Sequence, residues 1–204
     1  MRLRCTGRAT GPSASSLFSD AGAIVSPGRR GALVILWYMG LATLIVYVTL
    51  GRRRIDYRYV LIGAVAPDAF DAVVGLALFG DATQRRIGHS LTAVVVIAVV
   101  IVLALRGERR LAVFGLAVGW LLHLVGDGMW SWPRTFLWPA FGADFAIGPA
   151  MPVSTDAFIE PLDHIATWTK ELFGAAVLLW FGVAFRLAEV ERLRLFLRDG
   201  YLRP

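Results

Sequence analysis

Five apolar runs, at residues 32–50, 59–79, 89–105, 111–125 and 172–187, are separated by short stretches rich in arginine and glycine. Each run approaches the ~20 residues a helix needs to cross a bilayer, so the pattern predicts an all-α, polytopic transmembrane helix bundle of about five spans. The run at 32–50 ends in Gly-Arg-Arg-Arg, with no small-residue cleavage site, and is expected to be a membrane helix instead of a signal peptide. Residues 1–31, rich in Gly, Ser, Ala, Pro and Arg without an apolar period, are expected to form a mobile basic tail. Between 128 and 170 the pattern breaks into a long loop carrying Trp130, Trp132, Trp138 and Trp168. Tryptophan favours the headgroup level, so this loop is expected on the membrane surface, as an anchor or a lid. Residues 188–204 form a basic amphipathic segment suited to lying along the interface.

A few polar positions break the apolar runs, and they are the informative ones. Asp68 and Asp71 sit three apart after Pro67, His89 opens the third run beside Ser90, and His123 and Asp127 sit four apart at the end of the fourth. On a helix both spacings put the two side chains on one face. An ionisable group inside an apolar span is costly and marks a functional-site hypothesis, with a partner to be named. Asp68 has a plainer role open to it, capping a helix that begins at Pro67. The pair Asp163 and His164 fits loop hydrogen bonding better than metal ligation.

Charge orients the bundle. The chain is 57% hydrophobic and only 18% charged, too apolar for an ordinary soluble domain. Its net charge of +6 is nearly all arginine, clustered at 52–58, at 106–110 and at the C-terminal end. The positive-inside rule puts those clusters in the cytoplasm, against the pull of the basic tail, and places His89, His123 and Asp127 near the outer ends of their spans. Membrane orientation accounts for the basicity, so no nucleic acid partner is expected. Cys5 is the single cysteine, which leaves nitrogen and oxygen as the ligands for any metal. The chain has no G-x-S-x-G, Walker A loop, dinucleotide fingerprint or CxxC pair.

Asp68, Asp71, His89, His123 and Asp127 are therefore the candidate metal ligands, for Zn first and for Mn, Fe or Mg next. Such a site activates water for ester or phosphoester hydrolysis, with Asp71 and Asp127 as candidate catalytic carboxylates. Arg85 and Arg86 are candidate binders of a phosphate oxygen, or else anchors like the other loop arginines. A membrane lipid or another phosphoester is the natural substrate class. The same residues also suit a structural polar core in a non-enzymatic membrane adaptor or scaffold. A proton-coupled transporter uses similar residues, but the chain shows no internal repeat.

The order Ala66-Pro67-Asp68, Asp71, RRIGHS at 85–90, GWLLHLVGD at 119–127 and Leu137-Trp138-Pro139 resembles the YdjM-like family of inner-membrane-associated, LexA-binding-related metal-dependent hydrolases. The resemblance covers residues 61–142. That family's pattern of Asp and His is similar to that of zinc-dependent phospholipase C and P1 nuclease, which are helical enzymes. It implies a hydrolase-like membrane domain over 32–187, with Asp68, Asp71, His89, His123 and Asp127 in its metal site. Gln84 stands where many members carry a further histidine, Gly88 replaces the usual threonine, and Asp71 falls one residue later than in the common Pro-Asp-x-Asp form.

Overall fold

The computed structural model describes residues 34–51, 55–79, 85–142 and 165–203, and all regular structure among them is helical. The helices are α1 (Ile35–Leu50), α2 (Tyr57–Phe79), α3 (Leu91–Ala104), α4 (Gly107–Gly126), the short α5 (Pro133–Phe136), α6 (Ile165–Ala184) and α7 (Val190–Asp199). Two 3-10 turns, Ile87–His89 and Met129–Ser131, precede α3 and α5. The tail at 1–31, Gln84, and the loop residues 143–164 with Asp163 and His164 lie outside the described residues.

The all-α expectation holds, and two of the about five expected spans meet the length and apolarity needed to cross a bilayer. Among the described residues, two helical stretches, Tyr57–Leu78 and Gly107–Gly126, are long and apolar enough to cross a bilayer. Helices α1 and α3 are apolar but only 16 and 14 residues long. The third run lost its first residues for a local reason. Ser90 takes the N-cap of α3, its Oγ accepting the Ala93 N–H at 3.1 Å, which leaves His89 outside the helix. The fourth run gained a turn instead, because Glu108, Arg109 and Arg110 belong to the start of α4.

Glycines set the central helix pair. A Cβ at Gly119 would run into the Val60 carbonyl, one at Gly115 would come within 3.0 Å of the Asp56 carbonyl oxygen, and one at Gly63 within 2.9 Å of the Trp120 nitrogen. Small residues spaced four apart let two backbones touch, the usual way membrane helices pack without a hydrophobic drive. The register is parallel: Gly115 lies on Asp56 and Gly119 on Val60. Helix α1 meets α6 in the same way, Gly40 against Gly174. The Glu171 carboxylate faces the first amides of α1, 3.3 Å from the nitrogens of both Leu36 and Trp37. A cluster including Tyr38, Ala42, Val46, Val60, Ala64, Phe181 and Phe185 fills the space between these pairs.

The C-terminal segment is tied to the start of α2. Asp56 accepts the Arg58 N–H at 2.9 Å and pairs with its guanidinium at 2.6 Å, while the same guanidinium donates to the Leu197 carbonyl at 2.6 Å. Tyr57 N–H donates to the Gly200 carbonyl at 2.9 Å, and Leu202 is buried. Outward-facing Val48, Leu76, Leu78, Leu103, Leu179 and Val183 give the helices an apolar exterior.

Candidate metal centre

The Gly115–Gly119 stripe carries straight into chemistry. One step further along it His123 faces Ala64, its Nδ1 donating to the Ala64 carbonyl at 2.7 Å. A carbonyl only accepts, so the proton sits on Nδ1 and the Nε2 lone pair is left facing the bundle interior. Pro67, inside α2, has no N–H to return to the Gly63 carbonyl, which loosens the helix one turn before Asp68.

His89 is fixed by a different device with the same outcome. Asp71 Oδ2 lies 2.7 Å from His89 Nδ1 and accepts the Arg86 N–H at 2.6 Å, while Asp71 Oδ1 accepts the Gly88 N–H at 2.6 Å. The carboxylate thus holds the whole turn and orients the ring so that Nε2 points away from it. Trp120 braces the turn from the other side, its indole N–H donating to the Gly88 carbonyl at 2.7 Å. A Cβ at Gly88 would lie 2.7 Å from the Pro67 carbonyl oxygen and 2.8 Å from Asp71 Oδ1. The glycine that replaces threonine in the motif is thus required by this packing.

Three acceptor atoms then converge. Asp68 Oδ1 is 3.2 Å from His89 Nε2 and 3.5 Å from His123 Nε2, and the two Nε2 atoms are 3.3 Å apart. Both histidines are fully buried and Asp68 nearly so. Acceptors facing one another in a dry interior need a positive charge among them, a shared proton or a metal ion. The spacing fits a metal: tetrahedral ligands at the ~2.0–2.1 Å typical of zinc to nitrogen and oxygen stand about 3.3–3.4 Å apart. Asp68, His89 and His123 form a buried group able to hold a metal ion.

Asp127 stands beside that group and outside it. Its Oδ1 accepts from Tyr38 Oη at 2.8 Å and from Arg85 at 2.7 Å. Its Oδ2 is buried, lacks a hydrogen-bond partner among the described residues and lies 3.8 Å from His89 Nε2. All five residues expected from the sequence are brought together, in two layers: Asp68, His89 and His123 facing inward, Asp71 behind His89 and Asp127 to one side. Arg85 is turned onto Asp127, and Arg86 is buried with its backbone N–H on Asp71.

Sequence reasoning missed Tyr38, whose ring lies over His123 with centroids 3.9 Å apart, and Trp120. A four-residue ladder, Gly115, Gly119, His123 and Asp127, was the available signal for the α2–α4 contact.

No curated protein and no solved structure matches the chain. A family model described as YdjM inner membrane protein matches residues 34–193. With two helical stretches of spanning length and a match over most of its sequence, the chain belongs to the YdjM inner membrane protein family and is located in the inner membrane.

Proposed function

We propose that the chain is a multi-pass, metal-dependent hydrolase acting on an ester or phosphoester, with Asp68, His89 and His123 holding one divalent ion. The observation that carries this reading is the convergence of three buried ligand atoms, Asp68 Oδ1 and the Nε2 atoms of His89 and His123, at 3.2–3.5 Å. Two imidazoles and one carboxylate suit zinc best, with iron or manganese next; magnesium prefers more oxygen. Three protein ligands are also what a catalytic site uses when it keeps a position open. A divalent ion in such a site polarises an ester or phosphoryl oxygen and makes water a better nucleophile near neutral pH.

The remaining residues support that chemistry. Asp127 Oδ2, buried and without a hydrogen-bond partner among the described residues, accepts the proton of the attacking water. Tyr38 and Arg85 occupy Oδ1 and so keep Oδ2 turned inward. Asp71 keeps His89 in the tautomer that ligates. In this reading α1, α3 and α6 cross the membrane with α2 and α4, the shorter pair through local thinning of the bilayer.

Elemental analysis of protein purified in detergent tests the reading directly. The expected result is one zinc, iron or manganese per chain, lost in Asp68→Ala and His123→Ala. A wild-type protein that holds no stoichiometric ion after exposure to each of these metals would sink it.

A further inference from the structure

The metal centre and the basic residues lie at opposite ends of the two helices long enough to cross a membrane. Helix α2 starts just after Arg52, Arg53 and Arg54, with Arg58 in its first turn, and α4 starts at Arg106, Arg109 and Arg110. The two helices run parallel, as the pairing of Gly115 with Asp56 and Gly119 with Val60 requires. Both therefore travel from an arginine end to a common far end. The arginine end is built up further by α7, which carries Arg192, Arg194 and Arg198 and is bonded to the start of α2 through the carbonyls of Leu197 and Gly200.

The site lies at the far end. Asp68 and Asp71 are eleven and fourteen residues along α2 from Tyr57, about 16 and 21 Å at the rise of an α-helix. Against a hydrocarbon core of about 30 Å, Asp68 stands at about the midplane and Asp71 beyond it. His123 is in the last turn of α4, and His89 and Arg85 belong to the connection that follows α2. Directly after Asp127 come Trp130 and Trp132, both exposed, and then exposed Phe141. Aromatic rings at that position mark a headgroup boundary. Of the arginines at this end, Arg85 pairs with Asp127 and Arg86 is buried with its backbone N–H on Asp71, which leaves Arg134 exposed on the short helix after Trp132, fewer than at the other end.

Arginine-rich short loops stay in the cytoplasm. We infer that the metal centre opens at the headgroup level of the outer leaflet of the inner membrane, and that its substrate is a phosphate ester of a lipid headgroup in that leaflet. The substrate class rests on the hydrolase reading above; the sidedness stands without it. In the reaction a P–O ester bond breaks and the water oxygen bonds phosphorus. One water proton passes to Asp127 Oδ2 and on to the leaving oxygen, so that an alcohol and a phosphate monoester are released from a diester.

Sidedness is tested with single cysteines at the start of α4 and in the 3-10 turn that follows it, Glu108→Cys and Ser131→Cys, both exposed positions, in a Cys5→Ser background. A membrane-impermeant maleimide should label position 131 in spheroplasts and position 108 only in inverted vesicles. The reverse pattern, or labelling of both from one side, overturns the sidedness and leaves the metal reading untouched. For the substrate, zinc-loaded wild-type protein is incubated with vesicles of phosphatidylglycerol and phosphatidylethanolamine and with the soluble diester bis(p-nitrophenyl) phosphate, followed by phosphorus NMR. Lipid cleavage that is lost in Asp127→Asn supports the headgroup assignment. Cleavage of the soluble diester alone, or of neither, overturns it, whereas absence of bound zinc in the same sample is the separate failure of the hydrolase reading.

Discussion

Asp71 touches His89 on the side away from the ligand cluster, 2.7 Å from Nδ1, and spends its other bonds on the Arg86 and Gly88 amides. It is a positioning residue, because both of its oxygens are engaged by the turn it holds. Asp71→Asn keeps the shape but sets an NH2 group among donors. The imidazole is then driven to accept at Nδ1 and carry its proton on Nε2, the atom needed for ligation. Metal affinity should fall about 10- to 100-fold, the usual effect of removing a residue that orients a ligand. Competition with a chromogenic chelator measures this, and an unchanged affinity would show that the ring is held some other way.

Removing the ion should destabilise the fold, since Asp68, His89 and His123 join α2, the turn before α3, and α4. A ligand that binds only the folded state at 1,000 times its dissociation constant contributes about 4 kcal/mol. Thermal unfolding in detergent should therefore shift down on chelation and recover with added zinc. In Asp68→Ala the two curves should coincide.

The helices were legible because their apolar runs are long and their breaks carry arginine. The five polar residues were legible because aspartate and histidine are so rarely left in such runs. Which of them face the cluster was not legible, because that depends on crossing geometry set by residues without side chains. Gly88 reads in sequence as a weakened motif and proves to be the position at which the turn can approach Pro67 and Asp71. Tyr38 sat unremarked in an apolar run, since a tyrosine near a helix end looks like an interfacial residue until its hydroxyl is seen to reach Asp127, 89 positions along the chain. Helix length was not legible, because apolar composition does not show where a helix begins: Ser90 shortens α3 from its start.

Gly88→Ala and Gly88→Thr should both harm the protein, although threonine is the residue the motif usually carries. Any Cβ there meets two oxygens at 2.7 and 2.8 Å, and one of them belongs to backbone. Overpacking of this kind costs about 1–3 kcal/mol. A lowered unfolding temperature together with weakened metal binding is expected, because the turn that moves is the one that carries His89. Full stability in the threonine variant would show that the turn is free to shift.

Gly119→Val attacks the same site from a distance. The added side chain would press on the Val60 carbonyl and push α4 off α2, taking His123 away from Ala64 and Asp68. Loss of metal binding should accompany a drop in unfolding temperature, even though position 119 ligates nothing. The same change at Gly182, where a Cβ would meet nothing within 4 Å, should leave both properties intact and serves as the control.

Tyr38 separates holding the metal from using it. Its ring covers His123 and its hydroxyl bonds Asp127, so Tyr38→Phe removes only the second contact. A buried hydrogen bond to a charged acceptor contributes about 1.5–3 kcal/mol, and a drop in stability of that order is expected. Metal stoichiometry should stay at the wild-type level, because none of the three ligands loses a partner. Turnover of a phosphodiester should fall, since Asp127 then turns on Arg85 alone and Oδ2 is less firmly aimed. Tyr38→Leu also uncovers His123, and in that variant metal affinity should fall as well. Equal loss of metal in both variants would mean that the hydroxyl acts on the ligand cluster itself and that Asp127 is the fourth ligand instead of the base.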